Sequence, residues 1–130
     1  MQANRRRDTK PELRLRSEVH RRGLRYRVDV QPVRTIRSRA DLVFTRVKVA
    51  VFVDGCFWHG CPHHRVAPKT NASYWTAKIE GNMSRDRRVT EGLEREGWTV
   101  LRIWEHEDPL EAADRVEATV RRRLEALSTP

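Results

Sequence analysis

Residues 47–53 read Val-Lys-Val-Ala-Val-Phe-Val, and the next residue is an aspartate. A run that is nearly all apolar and dominated by β-branched side chains is the pattern of a strand covered on both faces. The rest of the chain must therefore supply material for two layers. Residues 24–30 (Leu-Arg-Tyr-Arg-Val-Asp-Val) alternate apolar and polar, as a half-buried strand does. Asp41-Leu42-Val43-Phe44 enters a further strand, after a polar stretch over 31–39 read as a loop. Residues 98–104 (Trp-Thr-Val-Leu-Arg-Ile-Trp) form another mostly apolar strand, in which Trp98 and Trp104 are expected in the core.

Helices fill the gaps. Thr9-Lys10-Pro11-Glu12 fits a capping box with proline early in the first turn, ahead of Leu13, Leu15 and Val19, and Gly23 offers a stop. A second helix runs from Ser73 to about Glu96, with Gly97 as its stop and Gly81 weakening its middle. Asp108-Pro109 starts a last helix whose apolar face carries Leu110, Ala113, Val116, Val120, Leu124 and Leu127. The order helix, strands, loop, helix, strand, helix predicts an α/β sandwich on a mixed central sheet. With 130 residues, one domain over 1–130 is expected.

Charge points to the partner. Lys and Arg number 27 against 18 Asp and Glu, a formal charge of +9, which favours a polyanion with nucleic acid first. Solubility alone is the plainer explanation of such a balance. The longest apolar run, Val49 to Val53, is too short to span a bilayer, and residues 1–7 lack the apolar middle of a signal peptide. A cytoplasmic protein with no membrane partner is expected.

The long segment 54–72 has no periodicity and is rich in Gly, Pro, Cys and His, so something must tie it down. Cys56 and Cys61, with His59, His63 and His64 beside them and His106 after the late strand, are the thiolate and imidazole donors of a zinc site. A buried cysteine pair with exposed histidines is the alternative. Asp41 starts one strand and Asp54 ends the next, so adjacent pairing brings two carboxylates to one sheet edge, where they can hold magnesium as hard oxygen ligands. His59 has the pKa range to take a proton from an attacking water. Phe57 and Trp58, in the same segment, can stack on or wedge between bases, or pack beneath the loop. Trp75, Lys78, Asn82 and Asp86 are spaced by three, four and four residues, so they share a helix face, either reading nucleic acid or merely solvated.

These residues carry a recognisable pattern. Val51-Phe52-Val53-Asp54-Gly55-Cys56-Phe57-Trp58-His59-Gly60-Cys61-Pro62-His63-His64 resembles the signature of the very short patch repair endonucleases. Arg7-Asp8-Thr9-Lys10-Pro11-Glu12, Arg39-Ala40-Asp41-Leu42-Val43-Phe44, Pro68-Lys69-Thr70, Tyr74-Trp75-Thr76-Ala77-Lys78-Ile79, Asn82, Arg85-Asp86-Arg87-Arg88 and residues 97–106 extend the resemblance in the family's order. It implies a restriction-endonuclease-like fold of the PD-(D/E)xK superfamily. It implies a DNA endonuclease that nicks duplex DNA beside thymine in T:G mismatches left by deamination of 5-methylcytosine.

The resemblance also implies site roles. Asp41 and the carbonyl of Val53 would bind magnesium. His59 would activate water, Asp86 would orient it, and Glu12 would contact metal-bound water, a plain capping glutamate being the other reading. Phe57, Trp58 and Trp75 resemble wedging aromatics, while Lys78 and Asn82 resemble mismatch-reading residues. Cys56, Cys61, His64 and His106 resemble structural zinc ligands, with His63 the alternative to His64. Asp54 departs from the pattern, because the best-studied family members carry histidine there; it is expected either to assist proton transfer or to bind a metal. Few residues precede the Arg7 block, which leaves Met1 as the one candidate wedge at that end. Mismatch-repair proteins and a cytosine methyltransferase are the implied context, and a monomer is expected to suffice for one nick. Two rivals stay open: a strand-cutting enzyme of restriction or mobile-element context without T:G preference, and a non-catalytic zinc DNA-binding module.

Overall fold

A computed structural model describes residues 10–55 and 72–128. Helix α1 (Lys10–Arg21) has an acid, Glu12, in its first turn and His20 and Arg21 in its last, the arrangement the helix dipole favours. Its buried face runs through Glu12, Leu15 and Val19, three and four residues apart. Leu13, one residue and so about 100° round the helix from Glu12, is 47% exposed. The helix ends at Gly23, whose φ of 86° lets its N–H reach the His20 carbonyl and the Leu24 N–H the Val19 carbonyl.

Four strands follow among the described residues: β1 (Arg27–Val30), β2 (Ala40–Phe44), β3 (Val49–Asp54) and, after helix α2 (Ala72–Arg95), β4 (Thr99–Trp104). Helix α3 (Pro109–Ser128) closes the order. The sheet order is β1-β2-β3-β4. The first three strands pair antiparallel, and β4 runs parallel to β3. The mixed sheet flanked by helices is as the sequence predicts.

Two strands are shorter than their apolar runs. Residues 24–26 carry the chain away from α1 before pairing begins at Arg27. Val47 lies in a 3-10 turn (Thr45–Val47), and Lys48 takes a left-handed conformation, φ 57°, to close the β2–β3 connection. The Lys48 carbonyl then accepts the Thr99 N–H at 2.9 Å, which begins the parallel pairing.

Residues 49–52 of β3 are all buried, so the strand is covered on both faces as expected. Alternation sorts its side chains. Val49 and Val51 pack with Leu42, Phe44 and Ile103 beneath Leu15 and Val19 of α1 and Val116 and Val120 of α3. Ala50 and Phe52 pack with Val43, Leu93 and Trp98 on the side of α2. Trp104 was expected in the core and is half-buried, because it lies at the mouth of a cavity described below. Leu110 and Leu127 were expected on the apolar face of α3 and are 51% and 57% exposed. They sit in its end turns, while the stripe that meets the sheet and α1 runs through Ala112, Ala113, Val116 and Val120.

Helix α2 ends at Gly97 with φ 89°, the Trp98 N–H returning to the Leu93 carbonyl. Gly81, inside the same helix, faces open space where a Cβ would stand. Gly81→Ala is expected to raise stability by about 0.5–1 kcal/mol through backbone entropy, and Gly97→Ala to lower it by about 1 kcal/mol through left-handed strain. Urea unfolding of the two variants checks the opposite signs.

Candidate active site

The end of β3 gathers the ionisable residues. Past the last β2–β3 register pair, Leu42 with Val51, the two strands no longer exchange only backbone bonds. The Val53 N–H donates instead to the Asp41 carboxylate, Oδ2 at 2.6 Å. Glu12, 3% exposed at the start of α1, hydrogen-bonds the same carboxyl. Two carboxyl groups hydrogen-bond each other only if one carries a proton. Burial pushes the Asp41 pKa up to about 8, helped by the bond to Glu12 and the charges of Glu12 and Asp54 and opposed by the Val53 N–H. The fold thus spends stability to hold acids from two elements together out of water, as functional sites do.

Asp54 is 6% exposed on the α2 side of the sheet. Arg102 of β4 meets it with Nη1 at 3.1 Å from Oδ1 and 3.3 Å from Oδ2. The same guanidinium nitrogen lies 3.8 Å from Asp86 Oδ1 on α2. Of the expected catalytic set, the structure therefore brings Glu12, Asp41, Val53, Asp54 and Asp86 to one end of the sheet.

The α2 face is as spaced. Lys78 is exposed, and Trp75, Asn82 and Asp86 are partly buried. Tyr74 stands edge-on to Trp75 with ring centroids 5.1 Å apart, and Arg85 donates to Asn82 Oδ1 at 2.8 Å. Arg85, Arg87 and Arg88 are exposed on the same helix. Met1, Cys56, Phe57, Trp58, His59, Cys61, His63 and His64 lie outside the described residues. Of the zinc set only His106 is placed. It is exposed in the turn after β4, beside a cavity of about 280 Å³ lined by Pro11, Val53, Ile103 and Trp104 among others. The Glu105 N–H donates to the Asp54 carbonyl at 3.0 Å, so that turn sits beside the point where the chain leaves β3 for the Cys/His segment.

Among the described residues no three His, Cys, Asp or Glu side chains close around a common point as a metal cage. A paired Glu12–Asp41 oxygen site is nevertheless what magnesium takes, since it binds through one or two carboxylates and keeps its waters.

Sequence reasoning overlooked Arg102. The signal was available: a cation in the middle of an otherwise apolar strand, two residues from its end. A partly buried arginine calls for a carboxylate partner, and the neighbouring strand ends in one.

Known proteins resemble this chain over nearly its whole length. A nicking enzyme of Lentzea aerocolonigenes, "Type II nicking enzyme V.NaeI", is 49% identical over 122 residues, covering 92% of this chain and 74% of that protein. "Type II nicking enzyme V.NmeDIP" of Neisseria meningitidis serogroup C is 45% identical over 82% of this chain and 72% of its own length. "DNA mismatch endonuclease Vsr" of Escherichia coli K12 is 38% identical over 76% of this chain and 62% of its own length. The family profile described as "DNA mismatch endonuclease Vsr" matches residues 1–65, which hold Asp41 and the first part of the segment that follows β3. With that match and those identities, this chain belongs to the Vsr family of DNA endonucleases.

Proposed function

We propose that this chain is a metal-dependent endonuclease that nicks duplex DNA beside the thymine of a T:G mismatch, on a fold of the PD-(D/E)xK type. The observation that carries the reading is the Asp41 carboxyl, held by buried Glu12 and the Val53 N–H at the end of β3. Asp41 and the Val53 carbonyl would hold magnesium, with Glu12 beside them to bond its waters. Magnesium bound there supplies positive charge to the phosphate oxygens and lowers the pKa of water. Hydrolysis adds a water oxygen to phosphorus and breaks one phosphorus–oxygen bond of the backbone. His59 takes the water's proton, and Asp86 orients it. Phe57, Trp58 and Trp75 wedge into the duplex, and Lys78 and Asn82 read the mismatch. Unstacking costs a few kcal/mol per step, less at a mismatched pair, which supplies part of the specificity.

Cys56, Cys61, His64 and His106 would hold a structural zinc ion, a reading supported by the Asp54–Glu105 bond that sets the His106 turn beside the end of β3. The enzyme acts as a cytoplasmic monomer, in the context of a cytosine methyltransferase and mismatch-repair proteins. No described helix is long and apolar enough to cross a membrane.

A second reading is nicking without T:G preference. It is favoured by the words "Type II nicking enzyme" in the names of several relatives. One assay separates the two. Purified zinc-bearing protein and magnesium are incubated with labelled T:G and T:A duplexes over a salt series. A single nick beside thymine in T:G alone is expected, weakening steeply with salt because phosphate contacts release counterions. Equal cutting of both duplexes establishes the second reading, and binding without cutting refutes both.

A further inference from the structure

We propose that Arg102 is the positioning residue of this site: it fixes Asp86 against the end of β3 and takes up the charge of Asp54. The inference rests on the proposed nicking activity and deepens it.

Arg102 lies opposite Phe52 in the β3–β4 register, on the sheet face that meets α2. Its guanidinium carbon stands over the Phe52 ring, 4.2 Å from the centroid, so the group rests on an apolar platform. From there its nitrogens reach three ways. Nε donates to Thr90 Oγ1 at 3.0 Å. Nη2 donates to the Asp86 carbonyl at 3.3 Å. Nη1 donates to both oxygens of Asp54. Two of these anchors are one turn apart on α2 and the third is on β3. A rigid planar fork with fixed donor directions is the side chain that can set a helix and a strand at a defined separation.

Two consequences follow from the geometry. The backbone of Asp86 is tied to the sheet, so the carboxylate proposed to orient the proton acceptor has a fixed origin. Asp54 is a partner of a cation, so its negative charge is offset beside the Glu12–Asp41 pair. That assigns Asp54 to the frame of the site rather than to the metal's oxygen ligands.

Single-turnover nicking, duplex affinity and metal-free melting are measured on the full chain for wild type, Arg102→Met, Arg102→Lys and the double variant Asp54→Asn/Arg102→Met. Arg102→Met is expected to lower kcat about 100-fold, the effect of misplacing a reacting group by about an ångström, while KM and duplex affinity stay unchanged. Lysine can pair with Asp54 but cannot fork to Thr90 and Asp86. Arg102→Lys is therefore expected to regain melting temperature without regaining kcat. The double variant is expected to melt above Arg102→Met, because removing both members of a buried pair costs less than stranding one. A kcat that stays at the wild-type level in all variants, or falls only with the folded fraction, overturns the proposal. So does a loss confined to KM, which would make Arg102 a DNA contact. A wild-type chain that cuts no duplex overturns the functional reading, and this proposal falls with it. A wild-type chain that nicks beside variants that nick equally well overturns this proposal alone.

Discussion

Replacing Asp41 by asparagine is expected to make the metal-free chain more stable and to abolish nicking. The two effects share one cause. Asp41 is half-buried beside Glu12 and close to Asp54, and its pKa is pushed from 3.8 up to about 8. An acid whose folded pKa lies above its unfolded value burdens the fold wherever the unfolded chain ionises. The burden is absent below pH 3.8, grows as pH rises toward about 8, and is constant above it. Asparagine keeps an oxygen for the Val53 N–H and offers Glu12 an amide donor, yet never ionises. The variant should therefore exceed wild type by about 2–4 kcal/mol at pH 8 and by almost nothing near pH 4. Nicking should fall about a thousandfold or more, the value of several kcal/mol of lost charge stabilisation, while duplex binding survives. Chemical unfolding from pH 4 to 8 without metal, alongside the nicking assay, checks both. A variant less stable than wild type at pH 8 contradicts the electrostatic account, and one that nicks normally removes Asp41 from the chemistry.

One residue further along β2 the signs reverse. Leu42 is 0% exposed within the cluster that joins the sheet to α1 and α3. Leu42→Ala removes buried methyl groups and leaves a cavity that neighbouring strands cannot close, at a cost of about 2–5 kcal/mol. The remaining folded molecules keep Glu12, Asp41 and Val53 in place. The expected outcome is a much lower midpoint in urea with near-normal nicking per folded molecule at low temperature. Loss of activity in the fully folded variant would show that the packing under Asp41 also sets its position. Side by side, the two variants separate what the strand contributes to stability from what it contributes to reaction.

Much of the fold was legible because its signals are local. The buried β3, the glycine stops after α1 and α2, and the proline start of α3 each follow from a few adjacent residues. Errors came where burial depends on distant partners. Leu110 and Leu127 have the right period for α3, but the period does not say how far along the helix its partners extend. The carboxylates Asp41 and Asp54 could be brought to one sheet edge from strand order alone. Glu12 could be placed there only by family resemblance, since a first-turn glutamate looks like a cap. Arg102 was overlooked because its three anchors come from two other elements, at separations of 12 to 48 residues.

The docking of α1 has a consequence for the order in which the enzyme comes alive. Leu15 and Val19 of α1 pack with Val116 and Val120 of α3, and Arg22 just past α1 bridges to Asp114 and Glu117 of α3. The helix that delivers Glu12 to Asp41 is thus seated on a helix that is made after all four strands of the sheet. During synthesis the sheet and Asp41 can exist while α1 still lacks the helix it packs against. The nuclease is latched by α3, so a chain made only as far as β4 has the acid of the first helix less firmly held beside the acid of the sheet.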